Sequence, residues 1–137
     1  VQALLRQAIT TGLVASAHDL SDGGLAVAAA EACIASGLGA VLEVPADAGR
    51  LDRLLFAEGG ARVLVSIKPD QERAWQELLD AQRPGEPETL ARPIGRVGEA
   101  GVPLSFEQDG TCLLSLAVED LRMSYENALP RRLAAAG

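Results

Sequence analysis

Apolar residues recur at helical spacing in five segments of the chain. In the first segment, Leu4, Leu5, Ala8 and Ile9 share one face, and Gly12 follows where a helix C-cap is expected. Asp70 is a good N-cap for the fourth segment. The pattern predicts helices over residues 1–11, 25–36, 50–56, 71–82 and 118–129.

Short apolar runs bounded by turn residues predict six strands. The clearest run is RVLVSI at Arg62–Ile67, and Asp109-Gly110 is the strongest hairpin signal. The strands are expected over residues 13–18, 40–44, 62–67, 93–97, 103–107 and 111–116. Strands and helices alternate early and a hairpin comes late. We therefore expect one domain over residues 1–137 with an α/β (α+β) fold, in which a mixed sheet is covered by helices.

Composition narrows the range of partners. The chain has 137 residues, 48% of them hydrophobic, which excludes a disordered protein. A net charge of −7 argues against a nucleic-acid partner and an electrostatic membrane anchor.

Cys33 and Cys112 lie far apart, so we expect two small buried thiols in a reducing, cytoplasmic environment. The chain opens inside a helical pattern without Met, which suggests a piece of a longer protein.

The segment SAHDLSDGGL, at Ser16–Leu25, holds the most informative chemistry because it joins an apolar strand to a helix start. Ser21 and Asp22 are both good N-caps. Gly23 and Gly24 carry no side chains, so another molecule's oxygens could approach their backbone closely. Since a helix N-terminus favours negative charge, these features describe an anion or phosphate cradle. The alternative is a well-capped helix after a tight turn, which binds nothing.

Other polar residues near this loop have open interpretations. Asp19 and Asp22 could ligate Mg²⁺ shared with a substrate phosphate, or could accept backbone N–H bonds within the turn. His18 is the single histidine, and without an evident partner it is either structural or an acid, base or phosphate donor. Glu58 and Arg62 flank a glycine pair and are expected to form an ion pair, although Arg62 could instead meet a phosphate.

Four segments, in order, resemble one known family. HDLSDGGLAVAAAEA at His18–Ala32 is similar to the strand–loop–helix signature of the C-terminal domain of the aminoimidazole-ribonucleotide-synthetase superfamily. Its SDGGL form most resembles the phosphoribosylformylglycinamidine synthase family, synthetase subunit. Leu55–Ile67, Ile94–Val97 and Ser124–Leu133 resemble further segments of that family. One departure is the pair Gly59-Gly60, where the family more often has a larger polar residue.

The resemblance implies the C-terminal domain of a cytoplasmic purine-biosynthesis ligase. The full enzyme would convert formylglycinamide ribonucleotide, ATP and glutamine-derived ammonia to formylglycinamidine ribonucleotide, ADP and phosphate. ATP and Mg²⁺ would be bound mainly by domains that this chain lacks. Partners would be those remaining synthetase domains, a glutaminase domain or subunit and a small accessory subunit.

The resemblance assigns no catalytic residue to this chain, which we expect to be inactive alone. It implies that the loop contacts a substrate or nucleotide phosphate, through the residues Asp19, Ser21, Asp22, Gly23 and Gly24. Two alternatives stay open: a domain that only packs against its neighbours, and the same domain from another ATP-dependent enzyme such as aminoimidazole ribonucleotide synthetase.

Overall fold

The computed structural model describes residues 2–47 and 49–135. Its five α-helices are α1 (Gln2–Thr10), α2 (Gly24–Ser36), α3 (Leu51–Phe56), α4 (Glu72–Gln82) and α5 (Val118–Ala135). The six strands in these ranges are β1 (Ser16–Asp19), β2 (Leu38–Glu43), β3 (Val63–Ser66), β4 (Gly95–Ala100), β5 (Leu104–Gln108) and β6 (Thr111–Leu116). Short 3₁₀ turns lie at Pro69–Gln71 and Pro87–Thr89.

Four of the strands form a mixed sheet in the order β4-β2-β5-β6. Strands β2 and β5 are parallel, whereas β4 and β6 run antiparallel to their neighbours. Strands β1 and β3 form a separate antiparallel pair, with Ser16 opposite Ser66 and Asp19 opposite Val63. The predicted fold class is confirmed, although the strands divide between two sheets.

Helix α2 covers one face of the four-stranded sheet. Its small side chains, such as Ala29 and Cys33, let the helix approach the sheet closely. Leu104 and Phe106 on the central strand β5 are each only 2% exposed and form the centre of this core. Burial raises the pKa of the Cys33 thiol, as expected for a small buried hydrophobe. Cys112 is exposed instead, because it lies on the edge strand β6, so its predicted burial is wrong.

A second, smaller core joins α1 to α4. Leu4 and Ala8 of α1 pack with Leu78 and Leu79 of α4, and Trp75 lies against them. Trp75, Leu78 and Leu79 therefore form the inner face of α4. This cluster shares no buried residue with the core beneath α2.

Several predicted boundaries differ from the structure, and those of the first strand and the last helix are two of them. The first strand begins at Ser16 and includes Asp19, because pairing with β3 sets its ends. The last helix does not end at Leu129 but continues through Pro130 to Ala135. Proline removes one backbone N–H from the helix, while the arginine, leucine and alanine residues that follow have high helix propensity. In the described ranges, no helix is both long and apolar enough to cross a membrane.

Candidate functional site

The predicted phosphate loop connects β1 to the start of α2. The Leu20 side chain is buried, and its N–H donates to the Arg62 main-chain oxygen at 3.0 Å. The chain then reverses direction through two consecutive left-handed residues, Gly23 at φ 75° and Gly24 at φ 65°. Only glycine adopts such a pair without strain, so this local sequence specifies the turn.

The helix cap differs from the one predicted. Gly23, not Ser21 or Asp22, is the N-cap residue of α2, and no side chain provides a cap hydrogen bond. Because the left-handed turn precedes the helix, α2 begins at Gly24. Ser21 and Asp22 lie before the N-cap position and are both exposed. The Gly23 N–H instead donates to Glu58 Oε1 at 2.9 Å. A carboxylate from another loop therefore lies at this helix N-terminus.

The chain itself fills the space beside both glycines. A Cβ on Gly23 would collide with the side chain of Val27. A Cβ on Gly24 would lie 2.7 Å from the Ala57 main-chain oxygen and 2.9 Å from that of Leu55. The close backbone approach predicted for a ligand is thus made by the end of α3. The open side of the loop is the one that carries the exposed Ser21.

The turn after α3 does not contain the predicted Glu58–Arg62 ion pair. Arg62 Nη2 donates to the Ala57 main-chain oxygen at 2.6 Å, and Arg62 Nε donates to that of Gly59 at 3.4 Å. Arg62 therefore neutralises the carbonyl end of α3, while Glu58 lies at the amide end of α2. Each charge meets a main-chain partner of opposite polarity, so the two side chains point to different helix ends.

His18 has a partner that the sequence analysis missed. Its Nε2 lies 2.7 Å from Glu31 Oε2, and its Nδ1 lies 2.7 Å from the Asp19 main-chain oxygen. A carbonyl oxygen and a carboxylate both accept hydrogen bonds, so the protonated ring, with two N–H donors, satisfies both partners. The pKa of His18 is raised, and the hydrogen bond to the Asp19 carbonyl is the largest cause. Burial is the next largest effect and lowers the pKa, while the hydrogen bond and charge of Glu31 and the charge of Asp19 raise it further. Glu31 is the single charged residue of α2, a signal that could have identified it.

This pair makes stability depend on pH. Because folding raises the pKa of His18, its stabilising effect is complete below the unfolded value of about 6.5 and is lost as pH rises through the folded value. Replacing Glu31 with glutamine should reduce the free energy of unfolding by less than about 1 kcal/mol, since the pair is partly exposed. The loss should be larger at pH 5.5 than at pH 8.5.

Urea denaturation at both pH values measures this dependence. Glu77→Gln is the matched control, because Glu77 pairs with Arg73, which does not titrate in this range. An equal loss for Glu31→Gln at the two pH values would contradict the assignment.

The described residues include no group of three or more His, Cys, Asp and Glu side chains placed to hold a metal ion. Asp19 and Asp22 offer two exposed carboxylates, and Asp19 Oδ1 lies 3.9 Å from His18 Nδ1. Asp19 and Asp22 are two carboxylates, so any Mg²⁺ held at this loop would take its remaining ligands from substrate phosphates, water or other domains.

A surface cleft lies at the other end of α2. It is lined by the C-cap Gly37, by Val102 and Pro103, and by Val118 and Arg122 of α5. Since α2 has 13 residues, this cleft is about 20 Å from the β1–α2 loop. The cleft is therefore separate from the predicted site. Within it, Arg122 Nη2 donates a hydrogen bond to the Ile34 main-chain oxygen at 3.1 Å.

The two-sheet fold, its helix-covered mixed sheet and the double-glycine loop define the class of protein. The chain belongs to the family described as AIR synthase related protein, C-terminal domain, whose model matches residues 1–103.

Within that class, the chain is similar to phosphoribosylformylglycinamidine synthase subunit PurL from several cyanobacteria. It is 50% identical over 133 residues to the proteins of Prochlorococcus marinus strains MIT 9303 and MIT 9313, covering 97% of this chain. The chain spans 17% of the length of these relatives.

Solved structures share the fold. T. maritima PurL complexed with FGAR superimposes with a TM-score of 0.68 at 21% identity, over 88% of this chain and 20% of that chain. T. maritima PurL complexed with ATP gives a TM-score of 0.69 at 20% identity, with the same coverage of both chains. These similarities confirm the fold class expected from the sequence.

Proposed function

We propose that this chain is the C-terminal domain of a phosphoribosylformylglycinamidine synthase. The observation that carries the proposal is the 50% identity to PurL proteins over 133 residues, together with the shared fold. The whole enzyme would phosphorylate the amide oxygen of formylglycinamide ribonucleotide with ATP, and ammonia would then displace the phosphate. ATP and Mg²⁺ would be bound mainly outside this chain.

Within that enzyme, the β1–α2 loop would contact a phosphate group of the substrate or the nucleotide. The exposed Ser21 can donate its hydroxyl, and the first amides of α2 have no carbonyl one turn earlier in the helix. Phosphate oxygens are suitable acceptors for such groups. The loop at residues 19–24 has no basic side chain, so main-chain and hydroxyl donors would make the contacts, against the negative charge of Asp19, Asp22 and Glu58.

The proposed partners are the remaining synthetase domains, a glutaminase domain or subunit and a small accessory subunit. Large apolar side chains are exposed along β6 and α5, which supports a surface buried in a larger assembly. They are Leu113, Leu114, Leu116, Met123, Tyr125 and Leu133. Two free cysteines fit the proposed location in the reducing cytoplasm.

A chimera tests the proposed function directly. This chain replaces the matching 133 residues of Prochlorococcus marinus PurL, and ammonia-dependent ADP release is measured. We expect activity close to that of the parent enzyme. A chimera that folds and associates normally but forms no formylglycinamidine ribonucleotide would contradict the proposal.

The substitution Ser21→Glu in the chimera tests the phosphate contact. It adds a charge on the open side of the loop without altering the glycine packing. We expect KM for one ligand to rise about tenfold through repulsion of its phosphate, with kcat nearly unchanged. A rise in KM for formylglycinamide ribonucleotide assigns the loop to the substrate, and a rise for ATP assigns it to the nucleotide.

Gln82→Glu is the matched control for this substitution, because Gln82 is exposed on α4, outside the apolar surface of β6 and α5. It should leave both KM values unchanged. If Ser21→Glu changes neither KM in an active chimera, the loop makes no phosphate contact and the domain's role is packing.

A further inference from the structure

One hydrogen bond joins two loops that lie far apart in the sequence. The Gly23 N–H donates to Glu58 Oε1 at 2.9 Å across 35 residues of sequence. Glu58 is exposed, yet its partner is a main-chain amide at the start of a 13-residue helix. A carboxylate in that position is favoured both by the hydrogen bond and by the helix dipole.

Two further contacts hold Glu58 in place. Arg62 Nη2 binds the Ala57 main-chain oxygen, and Arg62 Nε binds that of Gly59, on either side of Glu58. The backbone of Gly24 packs against the end of α3, where Leu55 and Ala57 leave no room for a Cβ. The α3–β3 turn and the β1–α2 loop therefore form one connected unit, in which Glu58 makes the side-chain hydrogen bond and Leu20 N–H to the Arg62 oxygen makes a main-chain one.

This unit controls which donors of the loop stay free. The Gly23 N–H is bound to Glu58, and Gly24 is buried against α3, so an incoming group meets Ser21 and the next amides of α2. We infer that Glu58 is a positioning residue, which holds the β1–α2 loop in the form that presents Ser21 and the start of α2 to a phosphate group. The inference rests on the proposed function of this loop.

Glu58→Ala and Glu58→Gln in the chimera test the inference. Alanine removes the acceptor, so KM for the ligand identified by Ser21→Glu should rise about tenfold, the effect of losing one hydrogen bond to a charged group. Glutamine keeps an acceptor oxygen, so KM should return to within about threefold of the parent value. The value of kcat should change little, because Glu58 does not contact the reacting atoms. Glu99→Ala removes the same charge from the exposed strand β4, outside the apolar surface of β6 and α5, and should leave KM unchanged.

An NMR experiment on the ¹⁵N-labelled chain tests the contact itself, separately from the phosphate proposal. Loss of the carboxylate in Glu58→Ala should move the Gly23 amide proton upfield, and Glu99→Ala should not move it. An unmoved Gly23 resonance would overturn the inference even if Ser21→Glu raises KM.

The kinetic results also separate the two proposals. If Ser21→Glu raises KM but Glu58→Ala leaves KM unchanged or lowers it, Glu58 does not position the loop and the inference is overturned. If Ser21→Glu has no effect, the phosphate contact fails. The inference that Glu58 positions the loop for a phosphate group is then overturned as well. A shift of the Gly23 amide in Glu58→Ala would in that case show only a structural contact.

Discussion

Replacing Gly24 with alanine is expected to destabilise the domain by about 2–5 kcal/mol, which combines backbone strain with overpacking. Gly24 has φ +65°, and an added Cβ would lie 2.7–2.9 Å from backbone atoms of Leu55, Phe56 and Ala57. These atoms belong to the end of α3 and cannot move aside as a flexible side chain could. Urea denaturation gives the change in the free energy of unfolding.

Gly12→Ala is the control that separates the two effects. Gly12 has a similar φ of +71°, but nothing lies within 4 Å of its Cβ position. Gly12→Ala should therefore lower the free energy of unfolding by the backbone strain alone, about 1–2 kcal/mol. Equal losses for Gly24→Ala and Gly12→Ala would show that the contact between α2 and α3 is looser than the structure indicates.

Replacing Phe106 with alanine is expected to cost about 3–5 kcal/mol, the range for truncating a buried aromatic side chain. Phe106 is only 2% exposed and lies on β5, between β2 and β6. Its removal leaves a cavity beneath α2, where Cys33 and Leu42 belong to the same core. Thermal and urea unfolding should show this loss clearly, because it is a large fraction of a typical domain's stability.

Phe56→Ala is a control with the same chemical change. Phe56 is 53% exposed at the end of α3, so its truncation should cost less than about 1 kcal/mol. If the two phenylalanine variants lose equal stability, the core is not centred on β5. These are the two phenylalanines of the chain, so the pair compares buried and exposed positions directly.

Local patterns predicted most of the secondary structure. Apolar periodicity identified the helices, and Asp109-Gly110 identified the hairpin between β5 and β6. Strand ends were less predictable, because β1 takes its limits from pairing with β3, almost 50 residues away. The end of the last helix was also predicted wrongly, just before Pro130. The helix propensity of the residues beyond it favours the helix more than one missing N–H opposes it.

A loop joins β1 to α2 where the sequence predicted one, but its internal contacts differ from those predicted. Ser21 and Asp22 are good caps by residue type, yet the double-glycine turn moves the helix start past them. Glu58 and Arg62 were expected to pair with each other because they are close in sequence. In the structure, each binds main-chain groups, and Glu58 does so at a helix end that sequence spacing cannot locate.

The sequence by itself determined the elements, the helix-covered sheet and the place of the double-glycine loop, because periodicity and turn chemistry act over a few residues. Only the tertiary structure decided which groups meet at that loop. Glu58 reaches Gly23, and Glu31 reaches His18, because the packing of α2 on its neighbours sets those distances. Hydrogen bonds between distant segments depend on how the elements pack, and no local pattern in the chain records that packing.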